Sequence, residues 1–461
     1  MNYMKKTKEY EASFLKDLKD IIAIPSLRNI AEKSENAPFG KACREALDVM
    51  LAKGKAEGFT VKDYNGYAGV IEYGEGEESV GILGHLDIVP LGEGWSKDHL
   101  GCEVHDGYVF GRGVLDDKGP TLCAFYALKM IKDMNIKLNK KIMLILGCDE
   151  ESGMECMDYY AEHGEIPTVG FTPDADFPVI YGEKGILTLH LKGQRETKIH
   201  KLCAGERHNV VIGKASAFLS TLSVHEKGMF EYYLKTNQLQ GEIIEHDHES
   251  ELVIDGKYMH AATCYAGNNA ALHLLNFIGE TFDDTLSKEL YACLKDWRGT
   301  GLGIDLIGAY MGFLTMNTGI VNIENGNVDV MLDIRYPNDT DAKTLLSKME
   351  MALKENKIAL EVKDSDDSSP LFVNPDSKLV KTLIDSYHKY SGDEFTPAQT
   401  IGGGTYARKF ENFVAFGPEF PVKEKTPFFV GGPHEKDEAM KIEDMMKAMA
   451  IYADAIENLG K

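Results

Sequence analysis

The sequence predicts an α/β catalytic domain, a mixed sheet with helices on both faces, into which an α+β domain is inserted as a lid. Three observations predict it. Two apolar runs, at 80–83 and 140–146, end in imidazole or carboxylate side chains and lead into helix-like periodicity, the alternation of an α/β sheet. Near Gly182 to Gly185 the texture changes to strand-like runs and helices without that alternation. After about residue 370 the first texture returns. The catalytic domain is therefore expected at 1–184 and 371–461, with the insertion at 185–370, long enough for a domain of its own.

Taken in order, Phe14, Leu15, Leu18, Ile21 and Ile22 fall at helical spacing, and Pro25 stops that helix. Leu47, Met50 and Leu51 mark a second helix, closed by Gly54 or Gly58. Extended segments follow at 59–62, 69–73 and 80–83. Residues 108–120, Tyr-Val-Phe-Gly-Arg-Gly-Val-Leu-Asp-Asp-Lys-Gly-Pro, give a strand, a glycine-rich turn and a proline suited to a helix's first turn. Leu122, Phe125, Tyr126 and Met130 form the apolar face of that helix. In the insertion, 186–191 and 328–334 read as strands, 270–278, 285–297 and 342–353 as helices, and the polar stretch 363–369 as a linker or hairpin tip. Leu379, Val380, Leu383 and Ile384 line a helix after Asp376, and Met440, Met446, Met449 and Tyr452 line the last one.

A chain of 461 residues with 43% hydrophobic and 27% charged side chains has the composition of a soluble protein too long for one core. Its formal net charge of -23 argues against a nucleic-acid partner, whose phosphates it would repel. No apolar run approaches a bilayer span, which argues against a membrane partner. The start Met-Asn-Tyr-Met-Lys-Lys-Thr-Lys has no apolar segment behind its basic residues, as a signal peptide would. The eight cysteines are scattered with no Cys-x-x-Cys pair, which fits reduced thiols and a cytoplasmic location.

Ligands of open α/β sheets gather beyond the carboxyl ends of the strands. There the chain offers His85, Asp87, Asp116, Glu150, Glu151, Asp174 in Thr-Pro-Asp-Ala-Asp, and His434 in Gly-Gly-Pro-His-Glu-Lys-Asp. Two imidazoles and three carboxylates suit two borderline divalent cations that share one bridging carboxylate. Two acids are left over. Asp87, two residues after His85 on the same side of an extended chain, can fix the imidazole's tautomer, and Glu150 can serve as a general base.

The motifs GHLDIVP, GRGVLDDKGP, DEESG, TPDADFP and GGPHEKDE resemble, in this order and over nearly the whole chain, those of the dinuclear metallopeptidases. That family includes aminoacylase, carboxypeptidase G, succinyl-diaminopimelate desuccinylase and dipeptidases of the bacterial PepV type. The resemblance implies a phosphorylase/hydrolase-like catalytic domain and two divalent cations per chain, Zn2+ first, with Mn2+ or Co2+ as alternatives. Carried over position by position, it implies that His85, Asp174 and Asp116 hold one cation and Glu151, His434 and the same Asp116 the other. Glu150 would be the general base, Asp87 would orient His85, and the Asp116–Asp117 peptide bond would be cis.

The insertion resembles the family as well. Glu206-Arg-His-Asn209 fits an Asn-containing segment, Gly256-Lys-Tyr-Met-His260 the stretch whose His binds the substrate carbonyl oxygen, and Asp333-Ile-Arg335-Tyr-Pro the Arg that takes the terminal carboxylate. A guanidinium fork suits that anion. One departure follows His260, where Ala-Ala-Thr-Cys-Tyr-Ala-Gly lacks the proline usual before the Gly-x-Asn-Ala segment. The implied activity is hydrolysis of dipeptides with a free C-terminal carboxylate through a metal-bridging hydroxide. The small peptide would be the only partner, and the lid is large enough for a monomer to supply its own His260 and Arg335. The same centre could serve an amidohydrolase or deacylase acting on N-acyl amino acids. Outside the enzymes, the rival is a metal-dependent scaffold that has lost turnover.

Two further stretches have plainer readings. Glu245-His-Asp-His-Glu249 alternates polar residues that face water on a strand or turn. Gly402-Gly-Gly404-Thr405 lacks the Gly-Lys-Ser/Thr of a phosphate loop, so Gly404 is expected to give the substrate a close backbone approach.

Overall fold

Strands Lys141–Gly147, Ser79–His85, Val169–Thr172 and Phe413–Ala415 lie in this order as parallel neighbours. Ala68–Tyr73 and Thr60–Tyr64 extend the sheet in antiparallel fashion beside Lys141–Gly147, which makes it the expected mixed sheet. This is a computed structural model, and it describes residues 2–422 and 425–461. Every residue of Ser79–His85 is buried, as a strand covered on both faces requires. Glycines set the distance of those covers. A Cβ on Gly84 would lie 2.1 Å from Thr121 Oγ1 of helix Lys118–Asp133. A Cβ on Gly147 would lie 2.4 Å from the Tyr406 hydroxyl, with Met157 and Cys156 of helix Glu155–His163 next to it. Gly84 is level with Leu146 and Gly147 follows it, so the two close approaches are on opposite faces of the sheet.

Helices Tyr3–Ile22, Lys118–Asp133 and Ile442–Gly460 pack against one another, and Lys378–Ser391 packs on the last of them. The second helix, Lys41–Ala56, is closed at Gly58, whose φ is 78°, and not at the other expected glycine, Gly54. It runs through that glycine because the missing side chain lets Ile71 Cδ1 come within 2.9 Å of the Cβ position. Met440 lies in a short strand, Ala439–Lys441, ahead of the final helix rather than within it.

By contact, the chain forms two units: Met1–Gly182 with Val373–Gln399 and Gly404–Lys461, and Glu183–Phe372 with Thr400–Gly403. The second contains one antiparallel sheet of eight strands, ordered Gln240–Glu245, Glu249–Asp255, Lys214–Ser220, Lys201–Ala204, Thr315–Glu324, Asn327–Tyr336, Gly185–Gln194 and Leu360–Ser368. Its inner face packs Leu187, Leu189, Leu252, Val330 and Leu332 with helices Ala270–Phe282, Thr285–Leu294 and Ala342–Glu355 in one core. The polar stretch 363–369 is not a linker or hairpin tip: most of it forms the edge strand Leu360–Ser368. An edge strand with one wet face tolerates such a sequence, and here Lys192 pairs with Asp364 at 2.5 Å and the Tyr336 hydroxyl donates to Asp367 at 2.6 Å. No helix among the described residues is long and apolar enough to cross a membrane.

Candidate metal centre

His85 ends its strand and reaches Asp116 through Nε2, 2.9 Å from Oδ1, with Asp174 Oδ2 at 3.8 Å. The other oxygen of Asp116 lies 3.0 Å from His434 Nε2, and Glu151 Oε2 lies 3.2 Å from the same nitrogen. One carboxylate thus faces two imidazoles, one through each oxygen. Ligand atoms of His85, Asp116 and Asp174 lie within 4.8 Å of one another, as do those of Asp116, Glu151 and His434. Among the described residues these are the only groups of three such side chains that could hold an ion. The Glu245–Glu249 stretch forms none, and His246 instead pairs with Glu251 at 3.2 Å.

Asp87 ties the two strand ends together. Its Oδ1 is 3.4 Å from His85 Nδ1, whose shorter contact, 3.1 Å, is with the Asp87 carbonyl oxygen. The carboxylate also accepts the backbone N–H groups of Glu150 at 3.2 Å and Glu151 at 3.1 Å. It therefore sets the His85 ring and the two glutamates at once. The Asp116–Asp117 bond is cis, as the resemblance implies. Asp117 turns away from the cluster and accepts from His85 N at 3.1 Å and the Thr121 hydroxyl at 2.8 Å.

Two residues that the sequence reading passed over hold the bridging aspartate in place. Glu438 is fully buried, and its Oε1 accepts the backbone N–H groups of Gly113 and Leu115, each at 2.9 Å, and of Asp116 at 3.2 Å. Its Oε2 takes Arg112 Nη1 at 2.6 Å, while Arg112 Nη2 donates to the carbonyl of His434 at 3.3 Å. Burial, with the charge of Asp116, pushes the Glu438 carboxyl up to about 7. Both residues lie inside quoted motifs, GRGVLDDKGP and GGPHEKDE, and the only signal available was an acid four residues after the His.

The electrostatics show a site crowded with anions. Burial pushes the carboxyls of Asp174 and Glu150 well up, and the negative charge of Asp116 adds to both. Burial also raises Glu151, against the pull of His434. Asp116 alone is held well below the usual carboxylate range, because contacts with His434 and His85 outweigh its burial. Burial would lower His85, but Asp116 and Asp87 hold it well above its ordinary value. These residues fit a bound cation on a further observation: Glu151 Oε1 is buried and has no hydrogen-bond partner among the described residues. Contacts with Asp116 and Glu151 raise His434 to about 10, so near pH 8 the metal-free imidazole carries a proton that it must lose to become a ligand. Affinity at that site should therefore rise with pH below about 10, as His434 gives up its proton. Titration calorimetry in two buffers of different ionisation enthalpy should show at least one proton released, and a buffer-independent heat would contradict this.

Of the expected substrate residues, Asn209, His260 and Arg335 lie in the inserted unit. Val210 and His260 form an isolated bridge, Ala261 N donates to the Asn209 carbonyl at 2.8 Å, and exposed His260 accepts Ala262 N on Nδ1 at 3.2 Å. Arg335 is buried and differs from the simple expectation. The edge meant for a substrate carboxylate already holds Asp333, Nε to Oδ1 at 2.5 Å and Nη2 to Oδ2 at 2.8 Å, and Nη1 donates to the Gly402 carbonyl at 3.0 Å. These contacts use three of the guanidinium's five N–H groups, leaving one on each terminal nitrogen. His208 Nδ1 also meets Asp333, at 3.1 Å. Asp333 and His208, unnoticed in the sequence, hold Arg335 in one orientation. Gly404 lies in the other unit, where a Cβ would come within 2.5 Å of Arg408 Cζ. Its missing side chain gives room to Arg408.

Comparison with known proteins agrees with the fold. Residues 81–458 match the family model described as peptidase family M20/M25/M40. A Bacillus subtilis (strain 168) protein called "Putative dipeptidase YtjP" is 36% identical over 475 aligned positions that span 100% of both chains. Among solved structures, aminopeptidase PepT from Bacillus cereus has a TM-score of 0.59 at 14% identity, covering 98% of this chain and 99% of that one. The dipeptidase Dug1p of Saccharomyces cerevisiae has a TM-score of 0.57 at 13% identity, covering 99% and 98%. At such identities these two show the fold. The chain belongs to peptidase family M20/M25/M40, and it is a metallopeptidase.

Proposed function

We propose that the chain is a dipeptidase with two divalent cations that hydrolyses dipeptides bearing a free C-terminal carboxylate. The observation that carries the reading is the meeting of two ligand triads on Asp116, with Glu150 outside both and fixed by its backbone to Asp87. The name of the 36% identical relative supports the substrate class. His85, Asp174 and Asp116 would hold one cation, and Glu151, His434 and Asp116 the other. When bound, such cations supply Lewis acidity toward the scissile carbonyl and the attacking water. Glu150 takes the proton from that water and returns it to the leaving amine, a role suited to a carboxyl whose burial favours holding a proton. His260 donates to the developing oxyanion. The two N–H groups that Arg335 has left, one on each terminal nitrogen, bind the substrate carboxylate, while Asp333 keeps the guanidinium from turning.

The experiment compares kcat/KM on a dipeptide with a free amine and on its N-acetylated form. The dipeptide should be the better substrate by at least about tenfold, and preference for the acetylated form would make the chain a deacylase. We further propose that a monomer is the working unit. Mixing Glu150→Gln with His260→Ala should restore no activity, since restoration would mean that His260 acts between subunits.

A further inference from the structure

Beside the anchoring residues of the inserted unit lies a cavity of about 700 Å³, within the range of pockets that enclose small organic ligands. Its wall is aromatic. The Tyr265 and Trp297 ring centroids are 5.3 Å apart, and Trp297 meets Phe313 edge-on at 5.8 Å and 84°. Tyr265 is 56% and Phe313 41% exposed, a contiguous apolar face left open where solvation disfavours it. Met311 and Ile401 complete the apolar lining. Nearby charge is committed elsewhere. Arg298 stacks on Phe313 with Cζ 4.7 Å from the ring centroid, and its guanidinium is paired with Asp305 through two contacts of 2.9 Å. Lys184 donates its ammonium to the Phe313 carbonyl. Among the described residues no carboxylate lines the cavity.

The cavity reaches the residues around Arg335. His260, Thr315 and Gly402 all line it. Gly402 is the residue whose carbonyl receives Arg335 Nη1 at 3.0 Å, and Thr315 is the cross-strand partner of Arg335. Directly opposed residues of an antiparallel pair present their side chains on the same face, so Thr315 stands beside the guanidinium. Its hydroxyl is buried without a hydrogen-bond partner, a second donor for an anion held there. In an α-amino acid the side chain branches from the carbon that bears the carboxylate. A C-terminal residue anchored at Arg335 therefore projects its side chain past Gly402 and Thr315 into the cavity, while His260 remains at the scissile carbonyl.

We propose that this cavity is the specificity pocket for the side chain of the substrate's C-terminal residue, and that it selects large apolar side chains, aromatic ones above all. The inference rests on the dipeptidase reading and names the substrates within it. Stacking on Trp297 and Tyr265 and burial against Met311 and Ile401 favour a ring, whereas the ammonium nearest a carboxylate side chain, that of Lys184, is already engaged.

The test measures kcat/KM on Ala-Phe, Ala-Trp, Ala-Gly, Ala-Asp and Phe-Ala with the metal-loaded full chain. Ala-Phe and Ala-Trp should exceed Ala-Gly and Ala-Asp by about 100-fold, the scale of discrimination by a hydrophobic pocket. Trp297→Ala should shrink the Ala-Phe to Ala-Gly ratio about tenfold. A ratio taken within one variant is insensitive to the fraction of it that folds, and Phe313→Ala, at a more exposed position, should shrink the ratio in the same direction. Equal rates on Ala-Phe and Ala-Gly, a preference for Ala-Asp, or an aromatic preference seen only with Phe-Ala would each overturn the pocket while leaving the dipeptidase reading standing. Hydrolysis of none of the five would overturn both.

Discussion

Glu150→Gln should leave the metal content of the chain intact and lower kcat on dipeptides by about 10²- to 10⁴-fold, the contribution usual for a positioned general base. Gln has the volume of Glu but cannot take the water's proton. The backbone N–H of residue 150 would still donate to Asp87, so the turn that carries Glu151 should keep its shape. Glu150 also belongs to neither ligand triad, whereas Glu151 faces His434 at 3.2 Å. Glu151→Gln should therefore fail differently, with weakened binding of one ion and partial recovery of activity when metal is in excess. Metal analysis after dialysis, together with kcat at saturating metal, separates the two. If both variants lose metal equally, the division of labour between these neighbours is wrong.

Asp116→Asn should have the larger effect on metal. Each Asp116 oxygen meets a different imidazole, at 2.9 and 3.0 Å, so removing the anion removes a ligand and a negative charge from both sites at once. Affinity at each should fall by more than about 100-fold, since even residues that only support a metal ligand cost 10- to 100-fold when changed. Asp174→Asn and Glu151→Gln should each cost one ion. The Asn variant should still fold, because the loop is held by its backbone N–H groups on Glu438 and not by the Asp116 side chain. Elemental analysis should find close to no ions in Asp116→Asn after dialysis and about one in each of the other two. Retention of one tightly held ion by Asp116→Asn would show that the carboxylate is not shared.

Much of this centre is legible in the sequence because strand ends in an α/β sheet are marked by abrupt changes of chemistry. Val80 to Leu83 ends in His85, and Ile142 to Leu146 ends in Glu150 and Glu151, so the ligands announce themselves by position. What the sequence hides is partnership across long separations. Arg112 and Glu438 are 326 residues apart, and neither shows alone that it is one half of a fully buried pair. Arg335 could be read as an anion-binding residue, and Asp333 two positions earlier shares its face of the strand, but spacing alone does not show that this carboxylate occupies one edge of the guanidinium. Local composition misleads where exposure decides the outcome. The acidic stretch 363–369 looks like a loop, yet it forms a strand because an edge position leaves one face in water. Gly54 looks like a helix end, yet the helix runs two residues past it to Ala56, and Ile71 packs into the space that its missing side chain leaves.

The central claim, a two-cation peptidase centre bridged by Asp116, is tested most directly by titrating the chelated chain with Zn2+, Mn2+ or Co2+ while recording bound metal and dipeptide hydrolysis together. Five ligands with one shared overfill a single tetrahedral site, so binding should saturate at about two ions per chain, with full activity reached only as the second ion binds. Saturation of both binding and activity at one ion per chain would contradict it.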